Sequence, residues 1–203
     1  MPGFRCDKDP IHLFNRWFKE AVRARRENPN AMALGTVRSG GIPSVRFVLF
    51  QGWADGGLSF FTNYRSPKAR ELTSNPNATC VFYWRETGKQ VRIVGRARRL
   101  SRERSEVYFS SRPRGSQLSA WVSPQSDVLH SRMDWAGHRR LEREYEAAKR
   151  RFKGRPVPCP PFWGGIAIIP RRIEFWKSGR NRLHYRLRYE RRGSGWKVSE
   201  LAP

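Results

Sequence analysis

The sequence predicts a mainly β protein of the α+β class, an antiparallel β-barrel with helices at its flanks. Short alternating runs separated by turn residues dominate the chain, and they pair naturally as hairpins. Helical patterns are few and interspersed. No strand–helix–strand alternation carries a G-x-G-x-x-G motif, so a Rossmann sheet is not indicated. With 203 residues and no internal repeat, the chain is predicted to form one domain, residues 1–203.

The first element is an amphipathic helix, predicted over residues 9–28. Asp9 is placed to cap it and Pro10 fits its first position. Apolar residues recur within it at the spacing of a buried helix face: Leu13, Phe14, Trp17, Phe18, Ala21 and Val22. Residues 32–37 and 44–50 then alternate as strands, and the Ser-Gly-Gly turn between them predicts a hairpin.

The remaining elements follow from periodicity, capping and turn chemistry. Ser66 and Pro67 fit the cap and the first position of a short helix over residues 68–74. Further helices are predicted at residues 101–111, 116–122 and 133–152, with a turn at 53–57 and a proline-rich linker at 155–161. Further strands are predicted at residues 58–62, 78–84, 89–98, 163–169, 173–176, 183–189 and 196–201.

Charge is the strongest compositional signal, a formal net +24 from 41 basic and 17 acidic residues. The basic residues, 33 of them arginine, are spread over the whole chain and form no tail. This spread disfavours nucleic acid as the primary partner. No apolar run is long enough for a membrane helix, and the first nine residues hold no apolar signal segment. The sequence therefore predicts a cytoplasmic protein with no membrane partner.

The cysteines and histidines indicate no metal site. Cys6, Cys80 and Cys159 are odd in number and widely spaced, without a C-x-x-C motif. Free thiols in a reducing compartment are therefore predicted. The four histidines show no ligand spacing either.

Residues 173–186, I-E-F-W-K-S-G-R-N-R-L-H-Y-R, predict a strand, a turn and a second strand. Because side chains alternate, Arg182, His184 and Arg186 would share one face of the second strand. Three such groups repel one another unless an anion or an electron-rich ring lies against them, or unless they face water. The residues alone leave these alternatives open.

A second group of residues has the chemistry of a phosphate site. Arg46 interrupts an apolar strand, where a charge needs a partner. Thr62, Ser66 and Lys68 lie at the start of a helix, where free N–H groups favour an anion, although plain capping also explains Ser66. Gln90 opens another strand and fits a surface residue equally well.

A third group, Tyr108, Arg112 and Ser116, recurs at a spacing of four residues. On a helix and the turn after it, a guanidinium fork and two hydroxyls could converge on one phosphate. A solvated helix face explains the same spacing.

Taken together, these stretches resemble the pyridoxine/pyridoxamine 5′-phosphate oxidase family, FMN-dependent enzymes that make pyridoxal 5′-phosphate. The resemblance covers roughly residues 9 to 203, and many segments match in order at compatible spacing. The matching segments are N-A-M-A-L-G-T-V (30–37), F-F-T-N (60–63), V-F-Y-W (81–84), K-Q-V-R-I-V-G (89–95), Y-F-S-S-R-P-R-G-S-Q (108–117), V-S-P-Q-S (122–126), W-G-G (163–165), I-E-F-W (173–176), N-R-L-H (181–184) and the closing L-A-P.

The resemblance implies a split β-barrel that works as a homodimer with FMN at the subunit interface, and residues 162–203 completing the site. The flavin contacts it implies are Arg46, Phe47, Val48, Leu49, Phe61, Thr62, Lys68, Gln90, Gln125, Ser126, Trp176 and Arg186. The substrate contacts it implies are Gln51, Tyr108, Arg112, Ser116, Arg182 and His184, of which the last two would be catalytic.

The implied reaction oxidises pyridoxine or pyridoxamine 5′-phosphate to pyridoxal 5′-phosphate, with molecular oxygen as the electron acceptor. A hydride passes from the C4′ carbon to flavin N5, so the two rings must be held face to face. Fixing the substrate phosphate supplies that alignment. Arg182 and His184 would steady charge and protons at the reacting end.

The sequence departs from the family pattern at four places. The family usually has Lys where Gln51 stands and Arg where Pro67 stands, so two cationic contacts to phosphates are absent. Tyr185 replaces an acidic residue, and the basic segment that covers the substrate has little counterpart before Asp9. The phenazine-biosynthesis flavin oxidases also look like this family with an altered phosphate site. An FMN oxidase for another aromatic substrate is therefore one alternative, and a basic polyanion-binding protein is another.

Overall fold

The computed structural model describes residues 4–24, 27–129 and 134–203. In these ranges the helices are α1 (Pro10–Arg23), α2 (Pro67–Ser74), α3 (Arg102–Ser111), α4 (Arg114–Val122) and α5 (Ala136–Arg151). The strands are β1 (Ala31–Val37), β2 (Pro43–Leu49), β3 (Trp53–Ala54), β4 (Gly57–Asn63), β5 (Asn77–Trp84), β6 (Lys89–Arg99), β7 (Trp163–Lys177), β8 (Tyr185–Arg192) and β9 (Gly195–Glu200).

These strands form one sheet in the order β2-β1-β5-β6-β7-β4-β3, with β8 paired to β7 and β9 paired to β8. All of these pairings are antiparallel. The predicted hairpin is formed by β1 and β2, whose register runs from Ala31 opposite Leu49 to Val37 opposite Pro43. The predicted antiparallel sheet with flanking helices is confirmed.

Helix α1 packs its apolar stripe against the inner face of the sheet. Asp9 caps the helix as predicted, because its carboxylate accepts a hydrogen bond from the Ile11 amide at 2.8 Å. The ring of Phe14 is fully buried and meets Phe50 and Phe82 edge-on, 5.4 and 5.1 Å between centroids. The helix ends at Arg23, earlier than the predicted residue 28, and residues 25–26 lie outside the described ranges.

The two faces of the sheet differ in burial. Core side chains cover the inner face, including the fully buried Met32, Leu34, Phe82, Ile93 and Phe175. On the outer face of β2, Val45 is 73%, Phe47 77% and Leu49 46% exposed. Because side chains alternate along a strand, β2 presents an uncovered apolar row. Such a row marks an interaction surface.

Strand β7 replaces the two strands predicted at residues 163–169 and 173–176. It runs without interruption from Trp163 to Lys177, pairing with β4 along its first half and with β8 along its second. The register with β6 shifts between Val94 and Gly95, so a β-bulge carries the strand past Pro170. A Cβ at Gly95 would lie 2.2 Å from the carbonyl oxygen of Ile169, so the bulge requires glycine there.

The strand predicted at residues 183–189 begins later, at Tyr185. Residues 180–182 form a single 3₁₀ turn, in which Asn181 has a φ of 53° and Arg182 a φ of 62°. A strand requires negative φ, so the prediction that Arg182, His184 and Arg186 share one strand face is wrong. Only Arg186 of the three belongs to β8.

Smaller corrections concern residues 53–57 and the predicted helix over residues 133–152. Trp53 and Ala54 pair with β4 as a short strand within the predicted turn. Helix α5 begins at Ala136, and residues 130–133 lie outside the described ranges.

The described residues include three free thiols and contain neither a membrane-spanning helix nor a metal-binding cluster. No helix in these ranges is long and apolar enough to cross a membrane. Cys6, Cys80 and Cys159 are free thiols, as predicted, and the last two are buried. Within the same ranges, no three His, Cys, Asp or Glu side chains are placed to hold a metal ion.

Candidate active site

A cavity of about 240 Å³ opens where β2, β4 and α3 meet. Ten of its eleven lining residues are predicted site residues, although they come from five separate stretches of the chain. The eleven are Phe47, Val48, Leu49, Gln51, Phe61, Thr62, Lys68, Tyr108, Arg112, Gln125 and Trp163. The cavity thus brings the predicted flavin contacts of β2 and β4 together with three of the six predicted substrate contacts, Gln51, Tyr108 and Arg112.

One end of the cavity is built around Lys68, which is only 7% exposed. Its Nζ donates to Thr62 Oγ1 at 3.3 Å and to Gln125 Oε1 at 3.1 Å, and Thr62 Oγ1 also donates to Gln125 Oε1 at 2.8 Å. Burial lowers the pKa of Lys68 to about 8, helped by the nearby positive charge of Arg46 and opposed by the carboxylate of Glu71. The ammonium is therefore a desolvated cation whose hydrogen-bond acceptors, Thr62 Oγ1 and Gln125 Oε1, carry no charge. Such a cation favours the binding of an anion.

Ser66 does not cap helix α2 with its side chain, contrary to the sequence prediction. Its hydroxyl instead lies 3.5 Å from Thr62 Oγ1, while its backbone carbonyl accepts from the amides of Ala69 and Arg70. The hydroxyl is fully buried beside the Lys68 end of the cavity.

Arg46 lies beside this end of the cavity but does not line it. Its Nη2 pairs with Glu71 Oε2 at 3.1 Å, and its guanidinium also donates to the hydroxyls of Thr36 and Ser44. The partner that a charge in this strand requires is therefore the buried carboxylate of Glu71. Glu71 was not predicted as a site residue. The only feature of the sequence that could have indicated it is the position of an acidic residue three places after Lys68 on a short helix.

The other end of the cavity is an aromatic stack that carries Arg112. The rings of Phe61 and Tyr108 lie parallel with centroids 3.9 Å apart, and Trp163 stacks on Phe61 at 5.4 Å. The guanidinium of Arg112 lies over the Trp163 ring at 4.7 Å. Burial raises the pKa of Tyr108 and lowers that of Arg112.

Arg112 also carries an unsatisfied donor. Its Nη1 is buried and has no hydrogen-bond partner among the described residues. Leaving such a group unpaired costs about 1–3 kcal/mol, more when it is charged. An anion in the cavity would offset that cost.

Trp163 is the lining residue that sequence reasoning missed. It appeared only within the W-G-G segment, and nothing local indicates that its ring stacks on Phe61 from β4. The following residues allow the stack, because a Cβ at Gly165 would lie 2.9 Å from the Phe61 ring. The two strands pair here, with Phe61 opposite Gly165.

A second group of predicted site residues lies elsewhere, on the outer face of the sheet. Gln90 is opposite Trp176, which is opposite Arg186, so the three form one row across β6, β7 and β8. The His184 ring leans on Trp176 at 4.6 Å, and its Nδ1 accepts from the Gly179 amide at 3.3 Å. These contacts place His184 beside a predicted flavin residue.

Arg186 is held by a buried acid. Its Nε and Nη2 donate to Glu174 Oε1 at 3.1 and 2.8 Å, and its Nη1 donates to the carbonyl of Ala202 at 2.8 Å. Glu174 is only 4% exposed and also accepts from Arg92. The guanidinium is thus fixed on three sides.

The two groups are far apart within one chain. Trp163 lines the cavity, whereas Trp176 lies at the other end of β7, thirteen residues or about 40 Å of extended strand away. Besides Arg46, three predicted residues join neither the cavity lining nor the outer-face group that includes His184. Ser116 is half-buried on α4, Ser126 is exposed with a φ of 69°, and Arg182 is exposed in its turn.

Solved structures with this fold define the class. PhzG from Burkholderia lata 383, in complex with tetrahydrophenazine-1-carboxylic acid, superposes with a TM-score of 0.88. It is 36% identical and covers 97% of this chain and 94% of its own. A pyridoxamine 5′-phosphate oxidase-related, FMN-binding protein from Nostoc punctiforme, 17% identical, has a TM-score of 0.76 over 98% of this chain and 100% of its own. The fold is the FMN-binding split barrel, as the resemblance implied.

Sequence comparisons narrow the class to a family. Residues 18–138 match the pyridoxamine 5′-phosphate oxidase family, and residues 163–203 match the pyridoxine 5′-phosphate oxidase C-terminal dimerisation region. A pyridoxine/pyridoxamine 5′-phosphate oxidase from Rubrobacter xylanophilus is 51% identical over 198 residues, covering 98% of this chain and 88% of that protein. The corresponding Burkholderia mallei protein is 47% identical, covering 96% and 89%. The chain belongs to the pyridoxamine 5′-phosphate oxidase family.

Proposed function

We propose that this protein is an FMN-dependent oxidase that converts pyridoxine or pyridoxamine 5′-phosphate to pyridoxal 5′-phosphate with oxygen. Family membership at 51% identity over nearly the whole chain supports the reaction. The observation that carries the proposal is the cavity with a cation at each end, the buried ammonium of Lys68 and the half-buried guanidinium of Arg112, whose Nη1 is buried and unpaired among the described residues. A phosphorylated cofactor and a phosphorylated substrate each need such an anchor.

The residues at the Lys68 end fit FMN. Lys68 would supply the cation for its phosphate, with the hydroxyls of Thr62 and Ser66 beside it, and the apolar wall at residues 47–49 suits its ring. Bound FMN supplies the redox chemistry by accepting a hydride from the substrate carbon and returning electrons to oxygen. The protein contributes binding, orientation and exclusion of water.

The residues at the Arg112 end fit the substrate phosphate. The unpaired Arg112 Nη1 is a buried donor without a protein acceptor among the described residues, and Tyr108 offers a hydroxyl beside it. Fixing the phosphate here would hold the substrate ring in place. Ser116 remains a predicted contact.

The second group of residues would act on the same cofactor from a partner subunit. Trp176 and Arg186 lie too far from Trp163 in one chain to close the same site. Both belong to the matched dimerisation region, and the exposed row on β2 at Phe47 offers an apolar contact face. We therefore propose a homodimer with FMN bound between the subunits. Each subunit would be a single domain, residues 1–203.

His184 and Arg182 are proposed to act at the reacting end of the substrate. Because His184 Nδ1 accepts from the Gly179 amide, the neutral ring carries its proton on Nε2. That Nε2–H would donate a hydrogen bond to the polar group on the reacting carbon of the substrate, and the Arg182 guanidinium would steady developing charge.

The direct test is the absorption spectrum of the purified protein. We expect a yellow protein whose flavin band bleaches when pyridoxamine 5′-phosphate is added without oxygen, and which consumes oxygen in air. A colourless protein that binds no added FMN would contradict the proposal.

A second candidate substrate class follows from Gln51. This residue lines the cavity where the family usually has a lysine, and PhzG, solved in complex with tetrahydrophenazine-1-carboxylic acid, has a closely similar fold. A protein that is yellow but inert toward both phosphorylated substrates would favour an oxidase for another aromatic compound.

Replacing Gln51 by lysine tests the substrate end of the cavity. We expect Gln51→Lys to lower KM for pyridoxine 5′-phosphate about 5- to 150-fold, because a charged donor adds about 1–3 kcal/mol to a phosphate contact. Steady-state kinetics would measure it. Ala147→Lys adds the same charge on the exposed face of α5 and should leave KM unchanged. An unchanged KM for Gln51→Lys would show that residue 51 does not contact the substrate phosphate.

A further inference from the structure

We infer that Glu71 is a positioning residue for the cofactor-phosphate end of the cavity, acting through Arg46 and Lys68. This inference rests on the proposed function, in which the Lys68 end holds the FMN phosphate. Glu71 lines no part of that cavity, and neither sequence motif nor family match assigns it a role.

The geometry is a closed triangle of hydrogen bonds. Arg46 Nη1 donates to Thr36 Oγ1, the Thr36 hydroxyl donates its single proton to Glu71 Oε2, and Arg46 Nη2 donates to the same oxygen. Thr36 is 2% and Glu71 7% exposed. A buried, mutually satisfied network of this kind holds one arrangement of its side chains.

The triangle joins three elements near Lys68. Thr36 comes from β1, Arg46 from β2 and Glu71 from α2, the helix whose first turn carries Lys68. Glu71 therefore fixes the Arg46 guanidinium relative to Lys68. Arg38, from the loop after β1, lies 3.8 Å from the other carboxylate oxygen but is mostly exposed.

The Glu71 carboxylate also stabilises the positive charge of Lys68 electrostatically. The charged groups that act on Lys68 are Arg46 from β2 and Glu71 from its own helix, while Thr62 and Gln125 are neutral. Two cations held close together repel, and the burial of Lys68 adds to the cost of its charge. Glu71 offsets that repulsion, so both cations can stay charged before an anion arrives.

Removing the Glu71 carboxylate should move the pH dependence of FMN binding to lower pH. Burial and Arg46 lower the pKa of Lys68 to about 8, and Glu71 opposes this shift. Without the carboxylate the pKa falls further, so Lys68 loses its charge at a lower pH. FMN affinity, which needs the charged form, should then weaken at a lower pH than in the wild type.

The experiment is FMN binding by the apoprotein, followed by flavin fluorescence from about pH 6 to 9. We expect Glu71→Gln to weaken FMN binding about 10-fold at pH 8, and to shift the pH-dependent loss of affinity to a lower pH. Binding of riboflavin, which lacks the phosphate, should change little. Glu20→Gln removes the same charge from an ion pair with Lys89, outside the cavity, and should leave FMN binding unchanged.

Thr36→Val provides a second test that leaves every charge in place. The variant removes the hydroxyl that bridges Arg46 and Glu71, so it should weaken FMN binding in the same direction, about 3- to 5-fold. If Glu71→Gln fails to fold, this variant decides the matter. Wild-type FMN affinity and pH profile in both folded variants, or equal losses for FMN and riboflavin, would overturn the inference while leaving the proposed function intact. A wild type that binds no FMN would overturn both.

Discussion

The Arg112→Gln variant is expected to lose about 100- to 1000-fold in kcat/KM for pyridoxine 5′-phosphate. The guanidinium offers a phosphate two charge-assisted hydrogen bonds, which together contribute about 3–4 kcal/mol to binding. In the protein without substrate, Nη1 is buried and unpaired among the described residues, so its desolvation cost has already been met. Substrate binding therefore gains nearly the full strength of the new contact.

The effect should be specific to the phosphate. Unphosphorylated pyridoxine has nothing for Arg112 to hold, so the variant should lose most of the preference for the phosphorylated substrate. The aromatic stack of Phe61, Tyr108 and Trp163 does not depend on the charge, so FMN binding and thermal stability should be little changed.

Steady-state kinetics with both substrates would measure the change in preference. Arg143→Gln, which removes one positive charge from the exposed surface of α5, is the matched control and should behave as wild type. If Arg112→Gln discriminates between the two substrates as well as the wild type does, Arg112 does not bind the substrate phosphate.

The second large effect is expected from Phe47→Asp, which should yield a monomer with at least 100-fold weaker FMN binding. Phe47 lines the cavity and is also 77% exposed on the outer face of β2, so it belongs to both the site and the proposed subunit contact. Burying a carboxylate without a partner at an interface costs several kcal/mol. The dimer should therefore separate, and Trp176 and Arg186 of the partner subunit would no longer reach the cofactor.

Sedimentation and flavin absorbance would measure both outcomes on one sample. Val107→Asp is the matched control, because Val107 is 72% exposed on α3 but does not line the cavity. It should remain dimeric and yellow. A dimeric, fully flavinated Phe47→Asp protein would contradict the proposed interface.

The elements that follow from local pattern were predicted well. Helix α1 was readable because its apolar spacing, its Asp9 cap and Pro10 all act within a few residues of one another. The β1–β2 hairpin could be predicted because its two strands and the turn between them are also neighbours in the sequence. The predicted strand around Arg182 was wrong because two successive left-handed residues, Asn181 and Arg182, make a turn that alternation alone does not reveal.

The sequence by itself determined the antiparallel sheet, the family and most residues of the cavity, because periodicity and motif segments are properties of short stretches. Only the tertiary structure decided that Arg46 is held by Glu71, that Arg186 is held by Glu174, and that Trp163 completes the aromatic stack. It also separated Trp176 from the cavity, at the far end of β7. These contacts join residues distant along the chain, and they depend on strand register and helix placement, which no short stretch of sequence specifies.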